Sequence, residues 1–397
     1  MRLPDGEPAP PDGALPPGVT AARPFGVYIH VPFCASRCGY CNFNTYVGMR
    51  QNGYADAVLA EWALAQRVLG GAPPADTVFV GGGTPTLLAP GDLAQILDAI
   101  PRADAAEVTV EANPETVTPA LARMLRAAGV NRVSLGAQSF QPDLLRVLER
   151  QASPESVRRA FYHLRDANFG NISLDLLHGI PGQSAAALHL DISEALALGP
   201  EHLSYYELEA KPGTRFAHAH GAELERQAEA MEDYFDVVVE RLIEAGYRWY
   251  ETANFCLAPE RADGRDLRAH HNLAYWLGRE YLGLGIGAVS TVGTERRRNT
   301  PRLGPYLAAL AHGERPEREV EPLDEATRAR ERVMLGLRLD EGLPYAAAES
   351  SVDESALGRL ERLGLATLRA DGDGQGTLVL TPRGRRLGGA VTVELLA

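Results

Sequence analysis

The chain has 397 residues, 45% hydrophobic and 23% charged, which suits an ordinary globular protein of two or three domains. Acidic residues outnumber basic ones 52 to 39, for a formal charge of −13, and this disfavours nucleic-acid binding, which needs a basic footprint. Four cysteines are too few for a disulfide framework, no apolar run approaches the ~18 residues of a membrane span, and the N-terminal stretch lacks the apolar core of a secretory signal. The expectation is a cytoplasmic protein without an integral membrane segment, with peripheral membrane contact still compatible.

Residues 1–24 are rich in proline, alanine and glycine and read as a disordered leader. From Phe25 short apolar strands alternate with helical stretches. Strands are expected at 26–31, 77–80, 107–111, 132–135, 172–177 and 202–207, and helices near 53–68, 90–100, 119–128, 154–168, 184–198 and 224–245. Six βα units in a row imply an α/β fold with a parallel sheet, and their regularity favours a partial (β/α)6, TIM-like barrel over 25–248. A site is then expected on the loops after the carboxyl ends of the strands.

The unusual residues fall there. Cys34, Cys38 and Cys41 follow the first strand, and Gly81-Gly82-Gly83-Thr84-Pro85 the second. Glu111-Ala112-Asn113-Pro114 ends the third, Gly136-Ala137-Gln138-Ser139-Phe140 the fourth, and Asp175-Leu176-Leu177-His178-Gly179 the fifth. Residues 249–320 are less regular and carry His270-His271-Asn272-Leu273-Ala274-Tyr275-Trp276. Over 321–397, two charged amphipathic helices (324–339 and 354–363) precede a hairpin turned at Asp371-Gly372-Asp373-Gly374, a pattern that suits a smaller winged-helix-like domain.

Three thiolates spaced C-x3-C-x2-C can hold three irons of a [4Fe-4S] cluster and leave the fourth iron open. The competing reading is structural zinc, which wants a fourth protein ligand, here Cys256 or a histidine. The triple-glycine turn lets backbone approach a ligand closely, where a plain turn would need one glycine. A neutral His271 imidazole is a good axial ligand for heme iron, and Tyr275 and Trp276 offer flat apolar area for a porphyrin face. The plainer alternative is local packing, and His270 competes for the same role. Arg296-Arg297-Arg298 could meet heme propionates or form a solvated loop.

The cysteine spacing, with an aromatic residue before the last cysteine, resembles the signature of the radical S-adenosylmethionine (SAM) superfamily. In that family the amino and carboxylate groups of SAM chelate the open iron, reduction of the cluster can cleave SAM, and the fold is a partial barrel of six βα units. More narrowly, Tyr28-Ile29-His30-Val31-Pro32-Phe33-Cys34, Cys41-x-Phe43-Asn44, Gly81 to Thr86, Glu111 to Pro114, Gln138-Ser139-Phe140 and Asp175-Leu176 resemble the HemN/HemW group. Its members are oxygen-independent coproporphyrinogen III dehydrogenases and related heme chaperones. The resemblance runs from Phe25 to the C-terminus and includes a HemN-like C-terminal domain. It implies SAM contacts from Tyr28, Gly82, Gly83, Thr84, Glu111, Gln138, Arg150 and Asp175. His271-Asn272-x-x-Tyr275-Trp276 looks like the HNxxYW motif of the chaperone branch, implying heme contacts from His271, Tyr275 and Trp276. The dehydrogenase branch has a further cysteine where this chain has Phe43, and a longer N-terminal extension. The resemblance therefore implies a heme chaperone that binds a [4Fe-4S] cluster, SAM and heme and passes heme to acceptor proteins. The alternatives are oxidative decarboxylation of coproporphyrinogen III, radical SAM chemistry on another substrate, and a zinc-binding structural protein.

Overall fold

The computed structural model describes residues 25–49, 51–209, 211–370 and 376–396. The expected leader and the turn at 371–374 lie outside them. The first strand is β1 (Phe25–Val31), and in the loop after it β2 (Phe33–Cys34) pairs parallel with β3 (Tyr46–Val47). Five more strands follow: β4 (Ala75–Gly82), β5 (Arg102–Ala112), β6 (Arg132–Gln138), β7 (Ile172–His178) and β8 (His202–Glu207). They lie side by side in chain order, all parallel. The order never reverses, so there is no switch point of the doubly wound kind, and right-handed crossovers put every connecting helix on one face. This is the expected barrel-like winding.

Register shows which face is which. Tyr28 pairs with Phe79, Phe79 with Thr109, Thr109 with Arg132, Ser134 with Ser173, and Ser173 with His202. Side chains alternate along a strand, so Tyr28, Phe79, Glu111, Arg132, Ser134, Asp175 and His202 share one face. The other face carries Val27, Ile29, Val78, Val80, Val108, Val110, Val133, Leu135 and Leu174, all in the main hydrophobic core with residues of the helices. The strands are thus apolar towards the helices and polar towards the inside of the barrel. The helices are α1 (Tyr54–Leu69), α2 (Pro90–Asp98), α3 (Pro119–Ala127), α4 (Pro142–Val147), α5 (Pro154–Asp166), α6 (Ala185–Leu198) and α7 (Arg215–Glu244). Several begin at a Ser or Thr whose hydroxyl accepts a first-turn N–H, as Thr118, Ser153, Ser184 and Thr214 do.

The region that looked irregular in sequence extends this sheet at both edges. β9 (Tyr247–Glu251) and β10 (Asn254–Leu257) add antiparallel strands beside β8. After helix α8 (His270–Trp276), β11 (Glu280–Leu284) pairs parallel with β1 at the opposite edge. β12 (Val289–Val292) and β13 (Glu295–Asn299) follow, and after α9 (Leu303–Ala311), β14 (Arg318–Pro322) completes a twelve-stranded sheet. The segment holding α8 therefore crosses from one edge of the barrel to the other. The arginine run belongs to β13 and is paired: Arg296 with Glu321 and Glu331, Arg297 with Glu295, and Arg298 with Glu319.

The C-terminal part has its own core, built on Val333, Leu337, Leu357, Leu360, Leu378 and Leu380. Helix α10 (Glu325–Gly336), strand β15 (Leu343–Pro344) and helix α11 (Glu354–Arg362) lead into the antiparallel hairpin of β16 (Ala366–Arg369) and β17 (Thr377–Leu380). β15 pairs with β17, and α12 (Pro382–Arg386) and α13 (Gly388–Leu395) end the chain.

Candidate functional site

The three cysteines sit on the loop between β1 and α1, at the carboxyl end of the sheet. All three are free and partly buried. Cys41 N–H donates to Cys38 O (3.2 Å), so the last two share a tight turn. Burial raises the thiol pKa values of Cys34 and Cys41, and the neighbouring cysteines add to the rise. Two backbone hydrogen bonds tie this loop to its neighbour. Gly83 N–H donates to Val31 O and Thr84 N–H to Phe33 O, both at 2.7 Å, which fastens the glycine turn to the cysteine loop. A Cβ at Gly83 would lie 2.6 Å from Phe33 O and one at Gly82, where φ is +109°, would lie 2.5 Å from the His30 ring. Only glycine allows that approach.

Polar side chains converge on the sulfurs. Thr84 Oγ1 lies 3.9 Å from Cys34 Sγ and accepts from Asn113 Nδ2 (2.8 Å). Arg150 donates to Asn113 Oδ1 (2.8 Å) and to Gly136 O (2.9 Å), and its Nη1 points to Cys38 Sγ at 3.7 Å. A buried guanidinium beside the thiols favours their anionic, metal-binding form. Asn113 thus links the second, third and fourth strand ends, a role no single sequence motif signalled. Gln138 sits at a register shift with φ +64°, the strained kind of position common at ligand sites.

Two carboxylates line the interior below. Glu111 accepts from Gly82 N–H (3.0 Å), and Asp175 accepts from Ser134 Oγ (3.0 Å). Burial first, then the nearby Asp175 charge, pushes the Glu111 pKa up to about 7, and burial raises that of Asp175. Two enclosed carboxylates with raised pKa values are suited to a ligand with positive charge and hydrogen-bond donors.

Among the described residues no three His, Cys, Asp or Glu side chains already form a chelate for a metal ion. The donor set nevertheless suits an iron–sulfur cluster better than structural zinc. Three thiols share one loop, while Cys256, the fourth sulfur a zinc site would call on, is buried on β10 opposite His202, among Tyr250, Leu267 and Leu273. That is the amino end of β8, away from the cysteine loop.

Helix α8 approaches the same interior from the amino end of the strands. Its first N–H groups, from His270 and His271, each donate to the Glu107 carboxylate at 3.1 Å. His271 is 1% exposed. Its Nδ1 lies 2.8 Å from Thr77 Oγ1, its Nε2 2.8 Å from Tyr275 Oη, and its ring stacks on Phe79 and Tyr28. Burial pushes its pKa down to about 3, so the ring is neutral. The imidazole expected to face a porphyrin is therefore enclosed with both nitrogens engaged, and it reaches an iron only by giving up Thr77 or Tyr275. Tyr275 packs edge-on against Tyr281, and Trp276 lies under the Arg338 guanidinium at 4.2 Å. The His270 side chain is more open, although its Nε2 is buried 3.5 Å from Asp266 Oδ2, and that carboxylate raises its pKa. Thr77 and Gly81 are four residues apart on β4, so α8 and the glycine turn stand about 13 Å apart along the strand. Tyr28, expected at SAM, bridges the two ends: its hydroxyl bonds His30 Nδ1 (3.0 Å) while its ring meets His271.

A glycine turn bound to a three-cysteine loop at the carboxyl end of a sequentially wound parallel barrel defines the radical SAM class. The Radical SAM superfamily model matches residues 28–192, and the HemN C-terminal domain model matches 323–387. Proteins named "Heme chaperone HemW" from Mycobacterium tuberculosis and Bacillus subtilis are 39% and 33% identical, covering 94% and 92% of this chain and 95% and 97% of their own. The solved structure of coproporphyrinogen III oxidase (HemN) from Escherichia coli, described as a radical SAM enzyme, matches with a TM-score of 0.77 at 22% identity, over 95% of this chain and 91% of that one. At that identity the likeness concerns the fold. The chain belongs to the HemW family of the radical SAM superfamily, and a [4Fe-4S] cluster and SAM follow as its cofactors from that membership. No helix among the described residues is long and apolar enough to cross a membrane.

Proposed function

We propose that this protein is a cytoplasmic heme chaperone, which binds heme and hands it to acceptor proteins. The observation that carries the reading is the 39% identity over 94% of the chain to a protein named as a heme chaperone. Phe43 adds to it. It stands, 62% exposed, where the dehydrogenase branch has a further cysteine.

On this reading Cys34, Cys38 and Cys41 would hold the cluster, which would supply a metal centre for binding and reducing SAM. Arg150 and Thr84 steady the sulfurs. Gly82, Gly83 and Gln138 offer backbone and amide groups to the ligand, and Glu111 and Asp175 face its hydroxyls and positive charge. The heme face is the α8 element, with Tyr275 and Trp276 as its aromatic surface. Of the two imidazoles, His270 is the one that reaches iron without breaking a bond inside the barrel, and His271 positions α8.

The test is anaerobic reconstitution with iron and sulfide, followed by heme titration of the wild type, His270→Ala and His271→Ala. The reading expects labile sulfide and iron that fall sharply in each single Cys→Ser variant, and an altered Soret band in His270→Ala. A protein that retains zinc and no labile sulfide would defeat the cluster assignment. An unchanged Soret band and affinity in both histidine variants would remove α8 as the heme face.

A further inference from the structure

We infer that the seam between the main sheet and the C-terminal domain is a binding site for a small multivalent oxyanion of the phosphate or carboxylate class. The seam holds a cavity of about 330 Å3 lined by Arg248, Arg369, Arg385, Asp340, Glu341 and Leu380. That size is at the small end of ligand pockets, ~300–1,000 Å3, and domain seams are where such pockets form.

Charge pairing leaves two of the three arginines over. Arg248 uses Nε and Nη2 on Asp340, at 2.7 and 2.8 Å, and Nη2 also reaches Glu341 at 2.7 Å. Glu341 is shared further with Arg268, at 2.9 Å. Both carboxylates in the cavity are therefore committed. Arg369 lines the cavity and makes no ion pair or side-chain hydrogen bond among the described residues.

Arg385 is in a more costly position. Its guanidinium lies 3.7 Å from the centre of the Trp249 ring, and Nη1 donates to Trp249 O at 2.8 Å. Its Nε and Nη2 are buried with no partner among the described residues. Enclosure pulls its pKa down to about 10, the mark of a cation short of counter-charge. Buried donors need acceptors, and a guanidinium fork fits the paired oxygens of a phosphate or carboxylate. An oxyanion in the cavity would lie between the Arg385 guanidinium and Arg369, both of which line it. Trp249 and Arg248 come from β9, Arg369 from β16 and Arg385 from α12. The ligand would thus bridge the barrel and the C-terminal domain, whether or not heme is the cargo of α8.

The test is thermal unfolding of the full chain at constant ionic strength with increasing pyrophosphate or citrate, for the wild type, Arg369→Gln and Arg385→Gln. The wild type is expected to show a saturable rise in Tm. Each variant is expected to need at least about tenfold more ligand for the same rise, the loss of one charge-assisted contact. Arg369 is exposed and unpaired among the described residues, so Arg369→Gln gives a folded variant even if Arg385→Gln does not. A response to pyrophosphate alone assigns a phosphate ligand, and to citrate alone a carboxylate. No saturable shift with either probe, or an undiminished shift in Arg369→Gln, overturns the site.

Discussion

Glu111→Gln offers a stability test of the polar interior that needs no cofactor. Glu111 is held among Gly82, Asp175 and the polar strand faces, and its pKa rises from 4.5 to about 7, chiefly through burial and then through Asp175. The sign follows from linkage. Below pH 4.5 the carboxyl is neutral in both folded and unfolded chains and costs nothing. Between 4.5 and about 7 the unfolded chain ionises and the folded one does not, so stability falls as pH rises, by ~1.4 kcal/mol per unit. Above pH 7 the whole of that loss, about 3–4 kcal/mol at most, has accrued. Glutamine keeps an acceptor for Gly82 N–H and removes the charge. The cofactor-free variant should therefore match the wild type near pH 4.5 and exceed it by roughly 1–3 kcal/mol at pH 8, allowing for relaxation. Urea unfolding at the two pH values measures this. Equal stability of the two proteins at pH 8, or a gain of the same size at both pH values, would refute the placement of Glu111 beside Asp175.

Other substitutions probe separate parts of the account. Gly83→Ala puts a Cβ against Phe33 O at 2.6 Å, so it should cost about 1–3 kcal/mol and lower the iron content after reconstitution, measured by unfolding and iron assay. Tyr275→Phe leaves the buried His271 Nε2 without its 2.8 Å partner and should cost about 1–3 kcal/mol in urea unfolding, whereas an aromatic pair that merely packs would lose almost nothing. His178 behaves oppositely to Glu111. Burial lowers its pKa from 6.5 to about 4, so its contribution is present above pH 6.5 and is lost as pH falls towards 4. His178→Phe should flatten that acid limb by up to roughly 3 kcal/mol, and an unchanged limb would show that His178 is not enclosed.

The elements that share one strand end were legible because their spacing is local. C-x3-C-x2-C, the triple glycine and the residues ending β5, β6 and β7 each follow an apolar strand, and the polar alternation within those strands marks the inner face. The two sheet edges were not. β9 to β14 are short, and β13 is Glu-Arg-Arg-Arg-Asn, which reads as a charged loop until Glu321, Glu331 and Glu319 are seen opposite it. Helix α7 begins at Arg215, earlier than the apolar pattern near 224 implied, because its first turns are polar and held by the Thr214 cap. The enclosure of His271 also lay beyond reach. Thr77, its partner, is 194 residues away, and only the crossing of α8 beneath the strands brings them together. Histidine–tyrosine spacing of i,i+4 says the two can touch. It does not say whether they face a porphyrin or a barrel interior.

The most direct test of the account is heme transfer set against porphyrin oxidation on one preparation. The anaerobically reconstituted protein, loaded with heme, is mixed with a heme-free acceptor, and a parallel sample receives coproporphyrinogen III, SAM and reductant. The account predicts stable heme binding, delivery of heme to the acceptor followed by its absorbance, and no decarboxylated porphyrin product. Conversion of coproporphyrinogen III with release of carbon dioxide would contradict it.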